Sequence, residues 1–181
     1  MARLQHLRGL LQAHPTTDAL EADFVQQMLA LCDASADPFA RDHWDPGHFT
    51  ASAFVLSADG QSLLLILHGK LNRWLQPGGH VEPGDVDVLA AALREVAEET
   101  DITDAEVVGA GLLDVDIHVI PAMKGNPAHK HFDVRILLRA RSDHYAAGDD
   151  AVDARWVRLE DINAVESDAS VMRAVSKLMT R

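Results

Sequence analysis

The chain has 181 residues, of which 48% are hydrophobic and 24% are charged, a composition typical of one globular domain and not of a disordered segment. Its 16 basic and 28 acidic residues give a formal net charge of −12, which disfavours binding to nucleic acids or to anionic membranes. The single cysteine excludes an internal disulfide, and the polar N-terminus and the lack of a long apolar run predict a cytoplasmic protein without a membrane span.

The residue pattern of the N-terminal segment, residues 1–34, predicts a helix on each side of a break at Pro15. Leucines recur at helical spacing before the proline, and a second apolar stripe follows it. Between the two, Asp18 and Glu21 have the spacing of a capping box. We therefore expect two short helices, the second beginning just after Asp18.

A change of composition separates this segment from the rest of the chain. Residues 34–49 contain prolines, a glycine and several Asp and His residues, which is typical of a linker with turns. We therefore predict an N-terminal helical arm with its linker over 1–45 and a main domain over 46–181. The sequence leaves three roles open for the arm, namely a homodimer contact, a lid, or packing against the main domain.

The main domain alternates between strand and helix patterns. A turn between its first two strands predicts a hairpin, and a Gly/Pro-rich loop over 76–84 leads into an amphipathic helix. Strands on either side of one central helix, with another helix at the end, predict an α/β fold, an α/β/α sandwich with a mixed sheet. The predicted elements are strands 49–57 and 62–68, a helix over 88–100, strands 107–120, 129–140 and 154–159, and a helix over 167–180.

Three carboxylates converge on one side of the predicted helix 88–100. Glu95, Glu98 and Glu99 stand at i, i+3 and i+4, where like charges cost about 0.2–0.5 kcal/mol per pair. Arg94 alone cannot neutralise all three. Hard oxygen ligands favour Mg²⁺ or Mn²⁺, and such an ion would let this acidic chain hold an anionic substrate. The alternative is a solvated acidic helix face.

The residues around these carboxylates resemble the signature of the Nudix hydrolases, G-x(5)-E-x(7)-R-E-U-x-E-E-x-G-U, in which U is a bulky aliphatic residue. The matching positions are Gly79, Arg94, Glu95, Val96, Glu98, Glu99 and Ile102.

Two positions depart from this signature. Asp85 replaces its first glutamate and is followed by a spacer that is one residue too long, and Asp101 replaces its late glycine. Because the apolar stripe of the helix is unbroken, we expect the extra residue before the helix, with Asp87 as N-cap. Asp101 can still adopt the left-handed conformation of a C-cap.

The resemblance implies a Nudix α/β/α sandwich that hydrolyses a pyrophosphate bond in a nucleoside diphosphate linked to another group, such as a nucleoside triphosphate or a nucleotide sugar. It implies that Arg94 orients the carboxylates and that Mg²⁺, or Mn²⁺ in its place, is the cofactor. The implied metal ligands are the carbonyl of Gly78 and the carboxylates of Glu95, Glu98 and Glu99.

The family often uses one more acidic residue, outside the signature, as a metal ligand or base. The candidates in this chain are Asp149, Asp150 and Asp153, and we select Asp150 as the catalytic residue.

The strand predicted over 129–140 alternates with a period of two and places His129, His131, Asp133 and Arg135 on one face. This face either lines a substrate cleft or faces solvent. We predict substrate contacts from His129, His131 and Arg135, joined by His118 of the preceding strand and by Gly79 of the glycine-rich loop. A transition-metal site on the same face is the less favoured alternative.

Two rival functions stay open. One is a Nudix domain that binds a nucleotide or metabolite as a regulator without cleaving it. Only the departures from the signature at Asp85 and Asp101 favour this alternative. The other is isomerase chemistry on an isoprenyl diphosphate, which usually needs a cysteine in the cleft, whereas Cys32 lies in the predicted arm. The expected partner is a small-molecule diphosphate, and modified nucleoside triphosphates, nucleotide sugars, ADP-ribose, dinucleoside polyphosphates and NADH all remain candidate substrates.

Overall fold

The computed structural model describes residues 2–35, 37–69, 71–123, 125–148 and 151–180. The helices in this part of the chain are α1 (Ala2–Ala13), α2 (Ala19–Ala34), α3 (Val88–Thr100), a 3₁₀ helix (Leu159–Ala164) and α4 (Ala169–Met179). The strands are β1 (Gly47–Leu56), β2 (Ser62–His68), β3 (Arg73–Leu75), β4 (Gly78–His80), β5 (Glu106–Ile120), β6 (His129–Arg139) and β7 (Ala151–Arg158). No helix among these residues combines the length and the apolar character that a membrane crossing requires.

The strands form one seven-stranded mixed sheet. Its central path runs β3-β2-β1-β6-β5, while β4 pairs with β1 and β7 pairs with β2. β1 and β6 run parallel over their whole length, and β5 is antiparallel to β6. β1 and β2 are antiparallel and join through a turn at 57–61, as the sequence predicts. The expected α/β fold with a mixed sheet is confirmed.

The alternation of side chains along β1 divides the sheet into two faces. Phe49 and Ala51 belong to a core that includes residues of α1, α2 and α3. Phe54 and Leu56 point to the other side, where they belong to a second core with the 3₁₀ helix and α4. Nearer the start of β1 the second face is polar, with His48, and this polar half is where the site described below lies.

The N-terminal helices pack against the main domain. Leu7 and Leu11 of α1 and Met28 of α2 are buried in the same core as Phe49 and α3. Of the three roles left open for the arm, packing is therefore the one visible in the structure. The homodimer contact, the lid and the domain boundary after residue 45 stay predictions.

The beginning of α2 differs in part from the predicted capping box. Asp18 caps the helix, and its carboxylate accepts a hydrogen bond from the backbone N–H of Glu21 at 2.9 Å. The side chain of Glu21 does not return to the N–H of Asp18, which donates to Thr16 instead. The Glu21 carboxylate is fully buried and pairs with His14, Thr16 and Lys177 of α4, so it links the arm to the C-terminal helix.

Two short strands and the 3₁₀ helix have no counterpart among the predicted elements. β4 lies inside the segment that the sequence predicts as a loop, and it pairs antiparallel with residues 50–52 of β1. This pairing requires glycine at Gly78, because a Cβ there would lie 2.4 Å from the Cβ of Ser52 and the backbone has a φ of +159°. β7 begins at Ala151, before the predicted start at residue 154.

Candidate functional site

Helix α3 carries the carboxylates, and both of its ends have the predicted caps. Asp87 has extended backbone angles, and its carboxylate accepts a hydrogen bond from the N–H of Ala90 at 2.8 Å. Asp101 adopts the left-handed conformation with φ of 56°, and its N–H donates to the carbonyl of Ala97. The long spacer therefore ends before the helix, and the register of Glu95, Glu98 and Glu99 is preserved.

Arg94 is the hub of the acidic cluster on this helix. Its Nη1 donates to Glu95 at 2.9 Å and to Glu98 at 2.8 Å, and its Nε and Nη2 donate to the two oxygens of Asp85 at 3.1 and 3.0 Å. A further bond at 2.8 Å ties Nη2 to the backbone carbonyl of His80. These bonds raise the pKa of Arg94, whereas burial raises the pKa of Glu95. Asp85 therefore contacts the arginine on the side away from Glu98, in place of the signature's first glutamate.

The glycines of β4 lie directly against these carboxylates. The N–H of Gly78 donates to Oε2 of Glu99 at 2.8 Å. At Gly79 a Cβ would lie 2.6 Å from Oε1 of Glu95, so any other residue would displace that carboxylate. The contact seen for Gly78 is made by its N–H, and its carbonyl as a metal ligand stays a prediction.

The carboxylates line one side of a cavity with a volume of about 980 Å³. Glu95, Glu98 and Glu99 of α3 face it together with Gly79, and the polar face of the sheet forms another part of its wall. Residues between β2 and β3 and at the start of β7 also line it, among them Leu71 and Val152. A cavity of this size is at the upper end of the range found for small-molecule sites. Hard carboxylate oxygens, held in place by Arg94 and by the N–H of Gly78, fit a divalent ion such as Mg²⁺.

The polar face of the sheet is ordered in rows by the strand register. His48, His131 and His118 lie side by side on β1, β6 and β5, and the next row holds Thr50, Asp133 and Asp116. Thr50 and Ser52 donate from their hydroxyls to the two oxygens of Asp133, at 3.1 and 2.8 Å.

Only part of the predicted substrate face reaches the cavity. Gly79, His118 and His131 line it, as does Asp133. His129 does not line it; its Nδ1 faces the carbonyl of Pro127 at 2.9 Å and its ring packs on Trp44. The predicted alternation of β6 is confirmed, but its polar face is neither wholly a cleft nor exposed to solvent.

The position of Arg135 is the clearest departure from the predicted substrate contacts. Its side chain is 3% exposed and lies outside the cavity lining. The guanidinium donates to Asp133 and Asp114, each at 3.1 Å, and to the backbone carbonyl of Ser170 in α4 at 2.9 Å. Because these partners occupy its donors, Arg135 holds the sheet to α4 and does not face a substrate.

Of the three candidates for the additional acidic residue, Asp153 is the one that lies among the described residues. Asp149 and Asp150 lie outside the described residues, so the catalytic role of Asp150 stays a prediction. Asp153 is exposed on β7 and does not line the cavity. The segment before Asp149 does reach α3, because the N–H of Gly148 donates to the carbonyl of Glu99 at 2.8 Å.

Cys32 is a buried thiol of α2. It lies in the core that the arm shares with the sheet and α3, burial raises its pKa to about 11, and it is not part of the cavity lining. An isomerase mechanism that relies on a cysteine in the cleft therefore has no support at this cavity.

Sequence reasoning missed two histidines, His48 and His80. Together with His131 they form a cluster whose ring centroids are 4.9 to 5.3 Å apart. Burial, helped by the neighbouring imidazoles, lowers the pKa of His80 to about 4 and that of His131 to about 2. The signal in the sequence was the polar alternation of His48, Thr50 and Ser52 within an otherwise apolar strand.

Comparison with known proteins adds two findings to this geometry. The sequence profile described as "NUDIX domain" matches residues 46–178. No curated protein sequence matches the chain.

Several solved structures resemble the fold. A NUDIX family hydrolase from Clostridium perfringens is 24% identical, with a TM-score of 0.55 over 74% of this chain and 97% of that chain. The Ap4A hydrolase of C. elegans is 20% identical, with a TM-score of 0.55 over 73% and 95% of the two chains. The E. coli dihydroneopterin triphosphate pyrophosphohydrolase is 15% identical, with a TM-score of 0.59 over 74% and 96%. At these identities the likeness shows a shared fold.

Proposed function

The chain belongs to the NUDIX domain family, and we propose that it is a metal-dependent hydrolase of a pyrophosphate bond in a nucleoside diphosphate derivative. The observation that carries the proposal is the excess of negative charge at the cavity. Glu95, Glu98 and Glu99 line a cavity of about 980 Å³ together with Glu82 and Asp133, whereas the arginines that line it among the described residues are Arg41 and Arg94. Arg94 pairs with Glu95, Glu98 and Asp85, and Arg41 pairs with Glu82. A polyphosphate can enter such a site only with cations that neutralise both it and the protein.

The donor set fits a divalent ion such as Mg²⁺, and Mn²⁺ has the same ligand preferences. The residues that would hold it are Glu95, Glu98 and Glu99, with the carbonyl of Gly78 as the expected fourth donor. When bound, such an ion supplies positive charge to phosphate oxygens and makes water a stronger nucleophile.

The chain's own residues would position the metal-binding carboxylates and bind the substrate. Arg94 holds Glu95 and Glu98 in place by hydrogen bonds of 2.9 and 2.8 Å, and Glu99 is held by the N–H of Gly78 at 2.8 Å. In the same cavity, His118 and His131 can donate hydrogen bonds to phosphate or sugar oxygens. Phosphoryl transfer depends mainly on this kind of positioning and charge neutralisation.

The proposed reaction is a hydrolysis in which the atoms balance without a further reactant. The oxygen of water forms a bond to one phosphorus, and the bond between that phosphorus and the bridging oxygen breaks. The bridging oxygen keeps the electron pair, and the protons of water are shared between the products and the solvent. Both products carry a phosphate group.

The test is a screen of the full chain against modified nucleoside triphosphates, nucleotide sugars, ADP-ribose, dinucleoside polyphosphates and NADH. Each compound is incubated with Mg²⁺, with Mn²⁺, or with a chelator, in ¹⁸O-labelled water. We expect turnover of at least one compound, dependent on the metal, and one ¹⁸O atom in a single product as judged by mass spectrometry.

The rival regulatory function gives a different result. A protein that binds without cleaving would show saturable binding of a panel compound by calorimetry with no labelled product under any metal condition. That outcome would overturn the hydrolase proposal. Turnover that persists unchanged in the chelator would contradict the metal dependence alone.

A further inference from the structure

The three histidines His48, His80 and His131, which we call the imidazole triad, come from three neighbouring strands. His48 lies directly opposite His131 in the parallel pair of β1 and β6, and His80 lies opposite Thr50 in the pair of β1 and β4. Because side chains two residues apart share one face of a strand, all three imidazoles project from the same face of the sheet. The strand pairing therefore builds the triad from rigid elements.

The ring spacing within the triad matches that of imidazoles around one metal ion. One ligand atom from each of its members lies within 4.8 Å of the others, and the ring centroids are separated by 5.1, 4.9 and 5.3 Å. Three imidazoles bound tetrahedrally at a metal–nitrogen distance of about 2.0–2.1 Å have centroids roughly 5 Å apart.

His48 supplies a second, independent observation. It is completely buried, and its Nε2 has no hydrogen-bond partner among the described residues. Its Nδ1 is 3.4 Å from the backbone carbonyl of His43, which fixes Nε2 as the atom left for a ligand. A buried polar atom without a partner destabilises the fold, and a metal ion at the triad would satisfy it.

The chemistry of the triad differs from that of the carboxylates on α3. Its ligands are neutral imidazoles, which suit zinc and other late first-row metals, whereas Mg²⁺ prefers oxygen. His80 and His131 also line the cavity, so a fourth coordination position would open towards it, as in zinc sites that keep one position for water or substrate.

We propose that His48, His80 and His131 form a second metal site, specific for a late first-row transition ion such as Zn²⁺, on the polar face of the sheet that lines the cavity. The site does not depend on pyrophosphate hydrolysis. β4 connects the two sites, because Gly78 and Gly79 contact the carboxylates while the next residue, His80, contributes to the triad.

Co²⁺ is the probe for the test, because four-coordinate Co²⁺ bound by imidazole absorbs far more strongly in the visible range than six-coordinate Co²⁺ bound by oxygen. The full chain is stripped with a chelator, dialysed, and titrated with Co²⁺ in an excess of Mg²⁺ that fills the carboxylate site. We expect strong visible bands that saturate at one Co²⁺ per chain and that disappear when Zn²⁺ is added.

Variants assign the bands to residues. His80→Asn and His131→Asn replace half-buried members of the triad, and circular dichroism of the metal-free proteins checks that they fold. We expect each to weaken Co²⁺ binding more than about 100-fold, since even the loss of an outer partner of a ligand costs 10–100-fold. His68→Asn removes an imidazole that lines the same cavity outside the triad, and it should leave the bands unchanged.

The remaining outcomes separate this proposal from the proposed function. Glu98→Gln should keep the Co²⁺ bands even though its hydrolysis is strongly slowed. The absence of saturable bands in the wild type, their survival in folded His131→Asn, or their loss in His68→Asn would each overturn the triad site, whether or not the chain hydrolyses any diphosphate.

Discussion

Two clusters of acidic residues in this protein differ in how their carboxylates are paired with cations. The first is the carboxylate patch of α3, formed by Glu95, Glu98 and Glu99. The second, which we call the α4 network, joins β5 and β6 to the C-terminal helix through Asp114, Asp116, Asp133, Arg135, Arg173 and Lys177. In the α4 network the three cations and the imidazole of His118 pair with these carboxylates, and Lys177 pairs with Glu21 as well. In the patch, Arg94 pairs with Glu95 and Glu98 and also with a further carboxylate, Asp85.

The difference in balance goes with a difference in exposure. Asp114 at the centre of the α4 network is fully buried and contacts a cation on each of three sides, so all the charge there is satisfied within the fold. The side chain of Glu98 in the patch is 58% exposed and faces the cavity. Buried charge that is paired within the fold points to a structural role, and carboxylates that line an open cavity are placed to bind a ligand from outside.

The largest effect that we expect tests the structural side of this comparison. Arg135→Met removes a buried cation and leaves Asp114 and Asp133 without part of their compensation, which costs about 3–5 kcal/mol of unfolding free energy. The measurement is urea denaturation of the metal-free protein. The control is Arg141→Met, which breaks the exposed pair with Glu106 and should cost about 0–1 kcal/mol. Equal losses in the two variants would show that the α4 network is not a structural centre.

The functional side is tested by Glu98→Gln. Removing one carboxylate from the patch should lower kcat about 10²–10³-fold on the best substrate, because a bound metal contributes several kcal/mol to such reactions. Its stability without metal should stay within about 0.5 kcal/mol of the wild type, because the substitution changes an exposed side chain. Glu160→Gln, an exposed acid outside the cavity lining, serves as the control. Full activity of Glu98→Gln would remove the patch from the proposed mechanism.

The two clusters also differ in how far the sequence reveals them. The patch lies within one helix, so its spacing, both caps and the place of the extra residue follow from local rules and agree with the structure. The sequence also predicts the alternation of β6. It does not show what covers the polar face of that strand, because the partners of Arg135 come from β5 and α4, far along the chain.

The imidazole triad escaped prediction for a related reason. His80 reaches His48 through a strand of three residues that looks like a loop in the sequence, and His131 reaches it through a parallel pairing between distant segments. Pairings of this kind depend on tertiary context, which overrides local preference. Residues that share one helix can therefore be grouped from sequence, whereas residues grouped by strand register need the structure.

A third prediction concerns the α4 network at low pH, where protonation of Asp116 should lower the stability of the fold. Burial favours a higher pKa for Asp116, but hydrogen bonding with His118 and the charges of Arg135 and Arg173 hold it at about 2, below its ordinary 3.8. A lowered pKa adds stability that is complete above about pH 4 and is lost as the pH falls towards 2. We expect Asp116 to account for a loss on the order of 2 kcal/mol over that interval.

The measurement is urea denaturation of the metal-free protein at several pH values between about 5 and 2. Asp116→Asn lacks the titrating group, so its stability should fall less steeply over this interval, although it starts from a lower value at pH 5. Parallel curves for the two proteins would contradict the assignment of a lowered pKa to Asp116.

The smallest effect concerns the beginning of α3, where the fold positions the patch without taking part in its chemistry. Asp87→Ala removes the carboxylate that accepts from the N–H of Ala90 and should cost about 0.5–2 kcal/mol. Asp87 also faces His6 of α1 at 3.1 Å, so His6→Ala measures that contact separately. Asp87→Asn keeps an oxygen at the cap and should recover most of the loss.

Activity decides what the cap means for the comparison. Glu95 lies two turns beyond Asp87, and Arg94 is anchored independently through Asp85 and the carbonyl of His80. If Arg94 and β4 position the carboxylates, Asp87→Ala should lose stability and keep its kcat per folded molecule. A lower kcat than that of the wild type, measured at a temperature where the variant is fully folded, would mean that the patch depends on the start of the helix. The distinction between the structural role of the α4 network and the functional role of the patch would then be weaker.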